Sequence, residues 1–502
     1  MFVRSKLVLA VSFALAVPGV VLTAGAQVAV SAKSDSLPAV APDPQIAKAI
    51  AQVSAAKVQA DIAKLVSFGT RSTLSSIETD LPPGHGINAA ADWVESEFKA
   101  ISAECGGCLE VKRDEFVESP AAAGERPNRY AKPTKMVNVY AILHGTSTDK
   151  NAPWVLVTGH MDSRVTDVMD SRSDAPGAND DASGVAVSLE SARVLSKLKL
   201  TGTIVFVAVD GEEQGLNGSH HLAHLAKEQG WPLEAALNND IVGGDTTPGD
   251  TMEDKTAVRV FSESVPSSAT PEQQRLILSL GAENDSPSRQ LARAVAEIAP
   301  EYFGPTVHHQ TPGGPGMVHN HLVRAEPAFH PVLILRRDRY LRGGDHTSFN
   351  GEGFAAIRFT EWRENFDHQH QKLRTENGIE YGDLLKFVDF DYVANVARLN
   401  AATLATFAAG PSEPRNVKVL TRALDNNTEL TWDASAFAPA GTTYEVVWRD
   451  SATMLWSHAQ SAGSATTLKL DVSKDNVLLG VRAVDAAGHR SLAVAPVPAG
   501  RQ

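Results

Sequence analysis

The first part of the chain alternates between helical and strand-like hydrophobic patterns. Apolar side chains recur every three or four positions over residues 45–67 and again over 86–101, and this spacing predicts amphipathic helices. Short apolar runs rich in β-branched residues follow at 137–143, 154–158 and 203–209. A further helical pattern over 184–198 separates the last two runs. This alternation predicts an α/β fold, with a mixed, mostly parallel central sheet that carries helices on both faces.

The hydrophobic pattern changes near residue 410. From residue 417 onward, short alternating segments are separated by turn residues at about the 8–12-residue spacing of a β-sandwich. A proline-containing stretch at 411–414 lies between the two patterns. The chain is therefore predicted to hold an α/β domain over residues 45–410 and an all-β sandwich over residues 415–502.

Composition and charge narrow the class of protein. The 502 residues are 43% hydrophobic and 21% charged, which is ordinary for globular domains. Lysine and arginine total 46 against 59 aspartate and glutamate, so the net charge is −13. Such an acidic chain has no general attraction for phosphate backbones or anionic lipid, and the sequence therefore argues against nucleic-acid binding.

The first residues have the parts of a secretory signal peptide. Arg4 and Lys6 precede an apolar run, and Ala24-Gly25-Ala26 supplies a cleavage site, so residues 1–26 are predicted to be removed. A membrane anchor is the alternative, but a Pro-Gly pair interrupts the run. No later stretch approaches the ~18 apolar residues of a spanning helix, so we expect an exported protein, periplasmic or extracellular. Residues 27–44 are rich in alanine, serine and proline and are predicted to be flexible, and whether they act as a propeptide stays open.

The cysteines fit the same export route. The chain has 2 cysteines, Cys105 and Cys108, within a Cys-Gly-Gly-Cys segment. A zinc half-site would need a second ligand pair, and a redox motif would need a thioredoxin-like context. In an exported chain, this pattern instead predicts a local disulfide.

Acidic and histidine side chains gather just beyond the predicted strands and at the start of the predicted helix 184–198. They lie in Gly159-His160-Met161-Asp162, Asn179-Asp180-Asp181, Gly211-Glu212-Glu213, Asn238-Asn239-Asp240 and His368-Gln369-His370. Each motif alone has a structural explanation; Asp181, for example, could simply cap the helix. Because functional loops of such sheets lie at the carboxyl ends of the strands, we expect these motifs to meet at one edge of the sheet.

This set of side chains predicts a metal site. Histidine nitrogen and carboxylate oxygen without thiolate suit zinc, with cobalt or manganese as substitutes, and Asp180 could bridge two ions. Two adjacent divalent ions polarise a carbonyl and acidify a shared water, and a nearby carboxylate that is not a ligand can carry its proton to a leaving amine. The motifs therefore predict amide hydrolysis without a nucleophilic side chain, and the sequence has no Gly-x-Ser-x-Gly elbow.

The motifs around His160, Asp180 and Glu212 together resemble those of the secreted co-catalytic di-zinc aminopeptidases, a group that includes bacterial leucyl aminopeptidases and glutamate carboxypeptidase II. The resemblance covers residues from about 68 to 405. It implies a ligand set for two zinc ions: His160 and Asp240 for one, Glu213 and His370 for the other, and Asp180 as the bridge. It also makes Glu212 the general base and Asp162 the partner of the His160 imidazole.

The resemblance implies a secreted zinc exopeptidase, foremost an aminopeptidase that removes N-terminal residues of peptides through a hydroxide bridging the two metal ions. A carboxypeptidase or dipeptidase of the same fold is the nearest alternative, because the motifs do not determine which end of the substrate is recognised. A non-catalytic binding protein is a second alternative, since this fold also occurs in receptor ectodomains. All the implied ligand and base positions are filled in this chain, which favours catalysis.

Some segments depart from the family pattern, and one segment offers two histidines as the possible metal ligand. The family places its final histidine in a Glu-Asn-Tyr-x-x-Gln-His-Thr pattern, which favours His370 over His368 as the ligand. Gly344-Asp345-His346 resembles a Ser-Asp-His element, and its side chains are predicted to line the pocket or support the oxyanion. Residues 245–335, which include His308-His309, match no motif and are predicted to be an insertion that shapes substrate access.

Within the predicted sandwich, the spacing of Trp432, Tyr444, Trp448 and the segment 483–491 resembles a fibronectin type III domain. This resemblance implies a contact with a surface or a polymer through the C-terminal domain, in addition to the peptide substrate of the α/β domain. Substrate docking and stabilisation of the α/β domain are alternative roles for the same sandwich.

Overall fold

The molecule, represented by a computed structural model, has an α/β domain followed by a β-sandwich. The structure describes residues 29–30, 35–37, 40–123, 128–304, 307–310, 323–326, 328–422 and 425–499. The helices in this part of the chain are α1 (Pro44–Ile50), α2 (Ala55–Val66), α3 (Ile87–Glu104), α4 (Ala182–Leu195), α5 (Glu212–Gly215), α6 (Asn217–Glu228), α7 (Pro271–Ser279), α8 (Pro287–Phe303), α9 (His346–Gly351) and α10 (Phe390–Ala409). The strands are β1 (Ala29–Val30), β2 (Asp35–Ser36), β3 (Leu109–Glu118), β4 (Thr134–Leu143), β5 (Trp154–His160), β6 (Thr203–Val209), β7 (Leu233–Asn239), β8 (Ala257–Ser262), β9 (Val307–Gln310), β10 (Val323–Glu326), β11 (His330–Ile334), β12 (Ala356–Glu361), β13 (Arg374–Glu376), β14 (Ile379–Tyr381), β15 (Arg415–Val419), β16 (Thr428–Asp433), β17 (Thr443–Asp450), β18 (His458–Gly463), β19 (Thr467–Leu470), β20 (Val477–Val484) and β21 (Val497–Pro498).

An 8-stranded mixed sheet, in the order β11-β8-β12-β7-β5-β6-β4-β3, forms the centre of the α/β domain. Its middle is parallel, since β5 pairs with β6 and β7, and β7 pairs with β12. Antiparallel pairs flank this middle on both sides. Val155 and Val157 of β5 join a core that includes side chains of α2, α3, α4 and α10, whereas Leu156 joins a second core with side chains of α6. The predicted fold class is confirmed, and burial on both faces explains why the central strands are continuous apolar runs.

The helix boundaries differ from the prediction near the start of the domain. The helical pattern over 45–67 forms two helices, α1 and α2, because Ser54 is the N-cap of α2 and accepts a hydrogen bond from the Lys57 backbone N–H. The helix predicted over 184–198 begins slightly earlier as α4, because the Asp181 carboxylate caps it. Local capping side chains therefore determine boundaries that the hydrophobic spacing alone places only approximately.

The C-terminal region forms two sheets with facing apolar side chains. One sheet has the order β1-β19-β16-β15-β21 and the other has the order β2-β18-β17-β20. Leu430, Trp432, Val446, Trp448 and Leu468 are among the buried side chains between them. The region is therefore all-β, whereas the resemblance to fibronectin type III and a contact with a surface or polymer stay predictions.

The N-terminal segment pairs with this sandwich. β1 pairs in parallel with β19, and β2 pairs antiparallel with β18. Edge strands offer unpaired backbone groups that such an extended segment can satisfy, whereas the flexibility predicted for residues 27–44 stays a prediction. The predicted signal peptide, residues 1–26, lies outside the described residues. None of the described helices is long and apolar enough to cross a membrane.

Residues 245–335 are integrated into the α/β domain. Within this segment, β8 and β11 belong to the main sheet, and α8 contributes Leu291 and Val295 to the larger core. The segment is thus not a separate appendage in its described part, and its role in substrate access stays a prediction. The side chains of His308 and His309 lie outside the described part of the structure.

The predicted disulfide between Cys105 and Cys108 is present. It closes the turn between α3 and β3. Gly106 and Gly107, between the two cysteines, have φ values of 80° and 85°, which only glycine adopts readily. The disulfide and the turn therefore act together to reverse the chain at the edge of the sheet.

The sandwich packs on α8 through charged side chains that are removed from solvent. Arg449 Nη2 donates to Asp285 Oδ1 at 2.7 Å. Arg482 donates to Glu297 of α8 and to Glu445 of the sandwich, both at 2.6 Å. Since a buried charge is costly without its partner, these pairs hold the two domains in one arrangement.

The close approach of α4 to β5 generates a prediction about stability. A Cβ atom at Gly159 would lie 2.3 Å from the backbone carbon of Gly184, so Gly159→Ala must displace either the helix or the strand. We expect the free energy of unfolding to fall by about 1–3 kcal/mol or more, measured by urea denaturation. Gly351→Ala is the matched control, because nothing lies within 4 Å of its added Cβ. Equal stability of the two variants would contradict the prediction.

Candidate metal centre

The carboxyl ends of β5, β6 and β7 meet at one edge of the sheet, beside the amino end of α4. The predicted residues are placed there by different elements: His160 ends β5, Glu212 and Glu213 follow β6, Asp240 follows β7, Asp180 precedes α4, and His370 lies between β12 and β13. The structure therefore brings together every residue that the sequence assigns to metal or base. The reason is topological, since parallel neighbouring strands end at the same edge.

Asp180 lies between the two histidines. Its Oδ1 is 3.2 Å from His160 Nε2, and its Oδ2 is 2.8 Å from His370 Nε2. Burial opposes ionisation of Asp180, but His370 and His160 outweigh burial and hold the pKa of this carboxyl well below its usual range. One carboxylate oxygen thus faces each imidazole, which is the geometry that a bridging ligand requires.

The donor atoms form two neighbouring groups. Those of His160, Glu212 and Asp240 lie within 4.8 Å of one another, and so do those of Asp180, Glu213 and His370. Glu212 therefore lies among the first group of donors, although the resemblance implies a role as base. A base must also lie within hydrogen-bonding reach of the reacting atoms, so this position is compatible with either role.

The chemistry of these donors fits a divalent metal. Asp180, Glu213 and Asp240 are buried together with the half-buried Glu212, and burial raises the pKa of Glu212 well above its usual range. Such crowded carboxylates repel one another unless a cation or a proton compensates. Imidazole nitrogen and carboxylate oxygen without thiolate are the donors that suit zinc.

Asp162 connects the two halves of the site. Its carbonyl oxygen is 3.0 Å from His160 Nδ1, closer than its carboxylate oxygen at 3.4 Å. The carboxylate instead accepts from the backbone N–H groups of Glu212 and Glu213, at 3.2 and 2.9 Å. Asp162 therefore contacts the His160 imidazole, as predicted, and also holds the start of α5, which the sequence did not indicate.

The sequence did not indicate the residues that hold Asp180 in place. Asp383 accepts from the backbone N–H groups of Asn179 and Asp180, at 2.8 and 2.7 Å. Burial raises the pKa of Asp383 to about 7. Glu361 accepts from Asn179 Nδ2 at 3.0 Å. The sequence offered a signal for this role of Glu361, because an acid at the end of a buried strand is unusual. Asp383 lies in an irregular segment and gives no comparable signal.

A buried arginine orients Asp240. Arg358 Nη2 donates to Asp240 Oδ1 at 2.8 Å, and Arg358 Nη1 donates to Asp338 Oδ2 at 3.3 Å. Burial disfavours the charged form of Arg358. The carboxylates of Asp240 and Asp338 outweigh burial, so the pKa of the Arg358 guanidinium group lies above its usual value. Arg358 lies between Ile357 and Phe359 in the fully buried β12, so a charged residue in a core strand was the available signal.

The remaining candidates lie outside the two donor groups. His368 Nδ1 is 2.5 Å from Asp245 Oδ2, and its ring stacks on Phe387 with centroids 3.7 Å apart. His346 Nε2 lies 2.8 Å from a backbone carbonyl oxygen. Asp345 is fully buried, and burial raises its pKa to about 7. The geometry thus favours His370 over His368, as the sequence did, and leaves Asp345 and His346 as supporting residues.

A cavity of about 370 Å³ opens above the donors. Its floor carries the acidic donors and His370. Its walls include Arg129, Arg164, Arg339 and Arg342 together with Leu216, Leu341 and Gln369. A small substrate segment could therefore reach the donors from solvent.

Comparison with known proteins shows what this chain is similar to. The model of a family described as Peptidase family M28 matches residues 138–290. A probable zinc metalloprotease of Pyrenophora teres f. teres is 44% identical over 461 residues, which cover 91% of this chain and 88% of that protein. A probable zinc metalloprotease of Leptosphaeria maculans is 43% identical over 461 residues, which cover 91% of this chain and 98% of that protein. The crystal structure of LapB from Legionella pneumophila aligns with a TM-score of 0.47 and 18% identity, covering 74% of this chain and 77% of that chain.

The two histidines of one loop provide a matched pair of variants. His370→Ala removes a donor. Loss of a residue that only supports a metal ligand lowers metal affinity by roughly 10–100-fold, so we expect His370→Ala to lower it at least as much. His368→Ala removes a ring that stacks on Phe387 and should lower stability while leaving metal content near normal. Metal content after dialysis and competition with a chelator would measure both. Loss of metal in His368→Ala but not in His370→Ala would reverse the assignment.

Proposed function

Since the chain belongs to peptidase family M28 and is a zinc metalloprotease, we propose that it is an exported aminopeptidase that holds two zinc ions. The observation that carries this proposal is the position of Asp180, whose oxygens face His160 Nε2 and His370 Nε2 separately. A single ion would need only one of the two donor groups. Two donor groups, with Asp180 facing a histidine of each, support a pair of ions.

The residues of the chain divide the work of hydrolysis. When bound, the zinc ions polarise the scissile carbonyl and lower the pKa of a water molecule. Glu212 takes the proton from that water and delivers it to the leaving nitrogen. Asp162 holds the Glu212 backbone in place through the N–H hydrogen bond.

The size and charge of the cavity support an exopeptidase. About 370 Å³ accommodates a short terminal segment rather than an extended chain. The resemblance of the motifs around His160, Asp180 and Glu212 to those of di-zinc aminopeptidases supports recognition of the amino terminus. A carboxypeptidase or dipeptidase is the second candidate, because the arginines on the cavity walls suit a carboxylate. Export is supported by the Cys105–Cys108 disulfide, a bond that persists in oxidising compartments.

The choice of substrate end can be tested with blocked peptides. We expect cleavage of leucine 4-nitroanilide and of short peptides with a free amine, and none of their N-acetylated forms. Activity should disappear with a chelator and return with zinc, because the acidic donors need a cation. Cleavage of N-acetylated peptides from their free carboxyl end would instead establish the carboxypeptidase alternative.

Glu212→Gln tests the role of this residue as base. The amide cannot accept the proton, so we expect kcat to fall by about 10²–10⁴-fold while zinc content stays near normal. Glu376→Gln is the control, since Glu376 lies exposed on β13. Kinetics with leucine 4-nitroanilide and elemental analysis would give the two readings. Parallel loss of zinc and activity would show that Glu212 is a ligand and not the base.

A further inference from the structure

The wall of the cavity carries an unusual density of positive charge for this protein. The chain has a net charge of −13, yet residues 336–342 read Arg-Arg-Asp-Arg-Tyr-Leu-Arg. Arg339 and Arg342 of this loop line the cavity above the metal donors. Arg129 and Arg164, from two other segments, line the same cavity. Separate parts of the chain therefore bring arginine to one place.

Two of these arginines are already paired. Arg339 donates to Asp338 at 3.1 Å and to Glu364 at 2.5 Å. Arg164 Nε donates to Glu213 Oε2 at 2.7 Å. In these contacts carboxylates balance the charge of both guanidinium groups. Arg339 and Arg164 therefore stabilise the structure beside the metal donors.

The other two arginines have no carboxylate partner among the residues that the structure describes. Arg342 Nη1 donates to Gln369 Oε1 at 3.4 Å, and Gln369 Nε2 donates to Asp180 Oδ2 at 3.0 Å. Arg129 Nη1 donates to the backbone carbonyl oxygen of Glu213. Each guanidinium group is thus linked to a candidate metal-binding residue by one or two hydrogen bonds, and each keeps most of its five N–H donors for a ligand.

The charge balance indicates which ligand these donors would take. The acidic side chains on the floor, including Asp180 and Glu213, are committed to cations, so Arg129 and Arg342 supply the positive charge that remains for a substrate. A guanidinium group binds carboxylate through two parallel hydrogen bonds, and this pairing strengthens where a ligand displaces water.

We propose that Arg129 and Arg342 bind a carboxylate of the peptide substrate and thereby select acidic substrates. This inference rests on the proposed exopeptidase function and adds a substrate class to it. The carboxylate comes either from an acidic side chain of the N-terminal residue or from the free carboxyl end of a short peptide. The two sources lie on opposite sides of the cleaved bond, so pairs of substrates that differ in one carboxylate can separate them.

The test uses substrates that differ only in this charge. Glutamate 4-nitroanilide against glutamine 4-nitroanilide examines the side chain, and Leu-Ala against Leu-Ala-amide examines the carboxyl end. We expect the full-length, zinc-loaded protein to prefer the charged member of one pair by about tenfold or more in kcat/KM. Arg342→Gln and Arg129→Gln should each remove most of that preference, chiefly through a higher KM for the charged member, because a hydrogen bond to a charged group is lost.

Arg336→Gln is the matched control. Arg336 belongs to the same loop, but its guanidinium group lies 3.7 Å from the Tyr340 ring centroid and is not part of the cavity lining. The control should keep the wild-type preference. An equal rate for both members of both pairs, or a preference that Arg342→Gln and Arg129→Gln leave intact, would overturn the proposal.

A binding measurement separates this inference from the proposed function. If neither member of either pair is cleaved, the exopeptidase proposal fails, and calorimetry then decides the role of the arginines. Wild-type protein that binds L-glutamate more tightly than L-glutamine, with the difference lost in the Arg129→Gln/Arg342→Gln double variant, would support the carboxylate site. Equal binding of these two amino acids, together with equal binding of Leu-Ala and Leu-Ala-amide, would refute it.

Discussion

Asp180, Glu213 and Asp240 are buried together at the carboxyl ends of parallel strands, where water cannot screen their mutual repulsion. The surrounding structure compensates this charge. His160 and His370 face Asp180, and each of the remaining carboxylates has a cationic neighbour, such as Arg358 beside Asp240. The same arrangement that would be costly without cations creates a strong site for divalent metal. The function of the protein therefore depends on carboxylates that the fold places together at one edge of its sheet, where their mutual repulsion costs free energy.

Backbone geometry positions these carboxylates as much as side-chain contacts do. Gly159 and Gly184 let α4 approach β5 closely enough to place Asp180 beside His160. Asp162 and Asp383 then accept hydrogen bonds from backbone N–H groups on either side of the donor set. Because these acceptors belong to different segments, the donors are held by the packed core and not by one loop. Such preorganisation keeps the ligands in place before metal arrives.

The cavity separates charge by depth. Its floor is acidic and is committed to metal, whereas Arg129 and Arg342 lie on its walls. A substrate that enters the cavity would contact both kinds of charge. The proposed carboxylate site would therefore provide locally positive charge in a protein whose net charge is −13.

The sequence by itself determined the strands β4, β5 and β6 and the helices α3 and α4, the clustering of acids and histidines near strand ends, and the chemical type of the donors. Hydrophobic period and residue type are local properties, so they can be read without the fold. Tertiary structure alone decided the pairing of β1 and β2 with the sandwich, the contact of Arg358 with Asp240, and the support of Asp180 by Asp383. It also decided that His370 faces Asp180 while the neighbouring His368 faces Asp245. These contacts join residues far apart in the chain, and their formation depends on packing and charge compensation that no local pattern encodes.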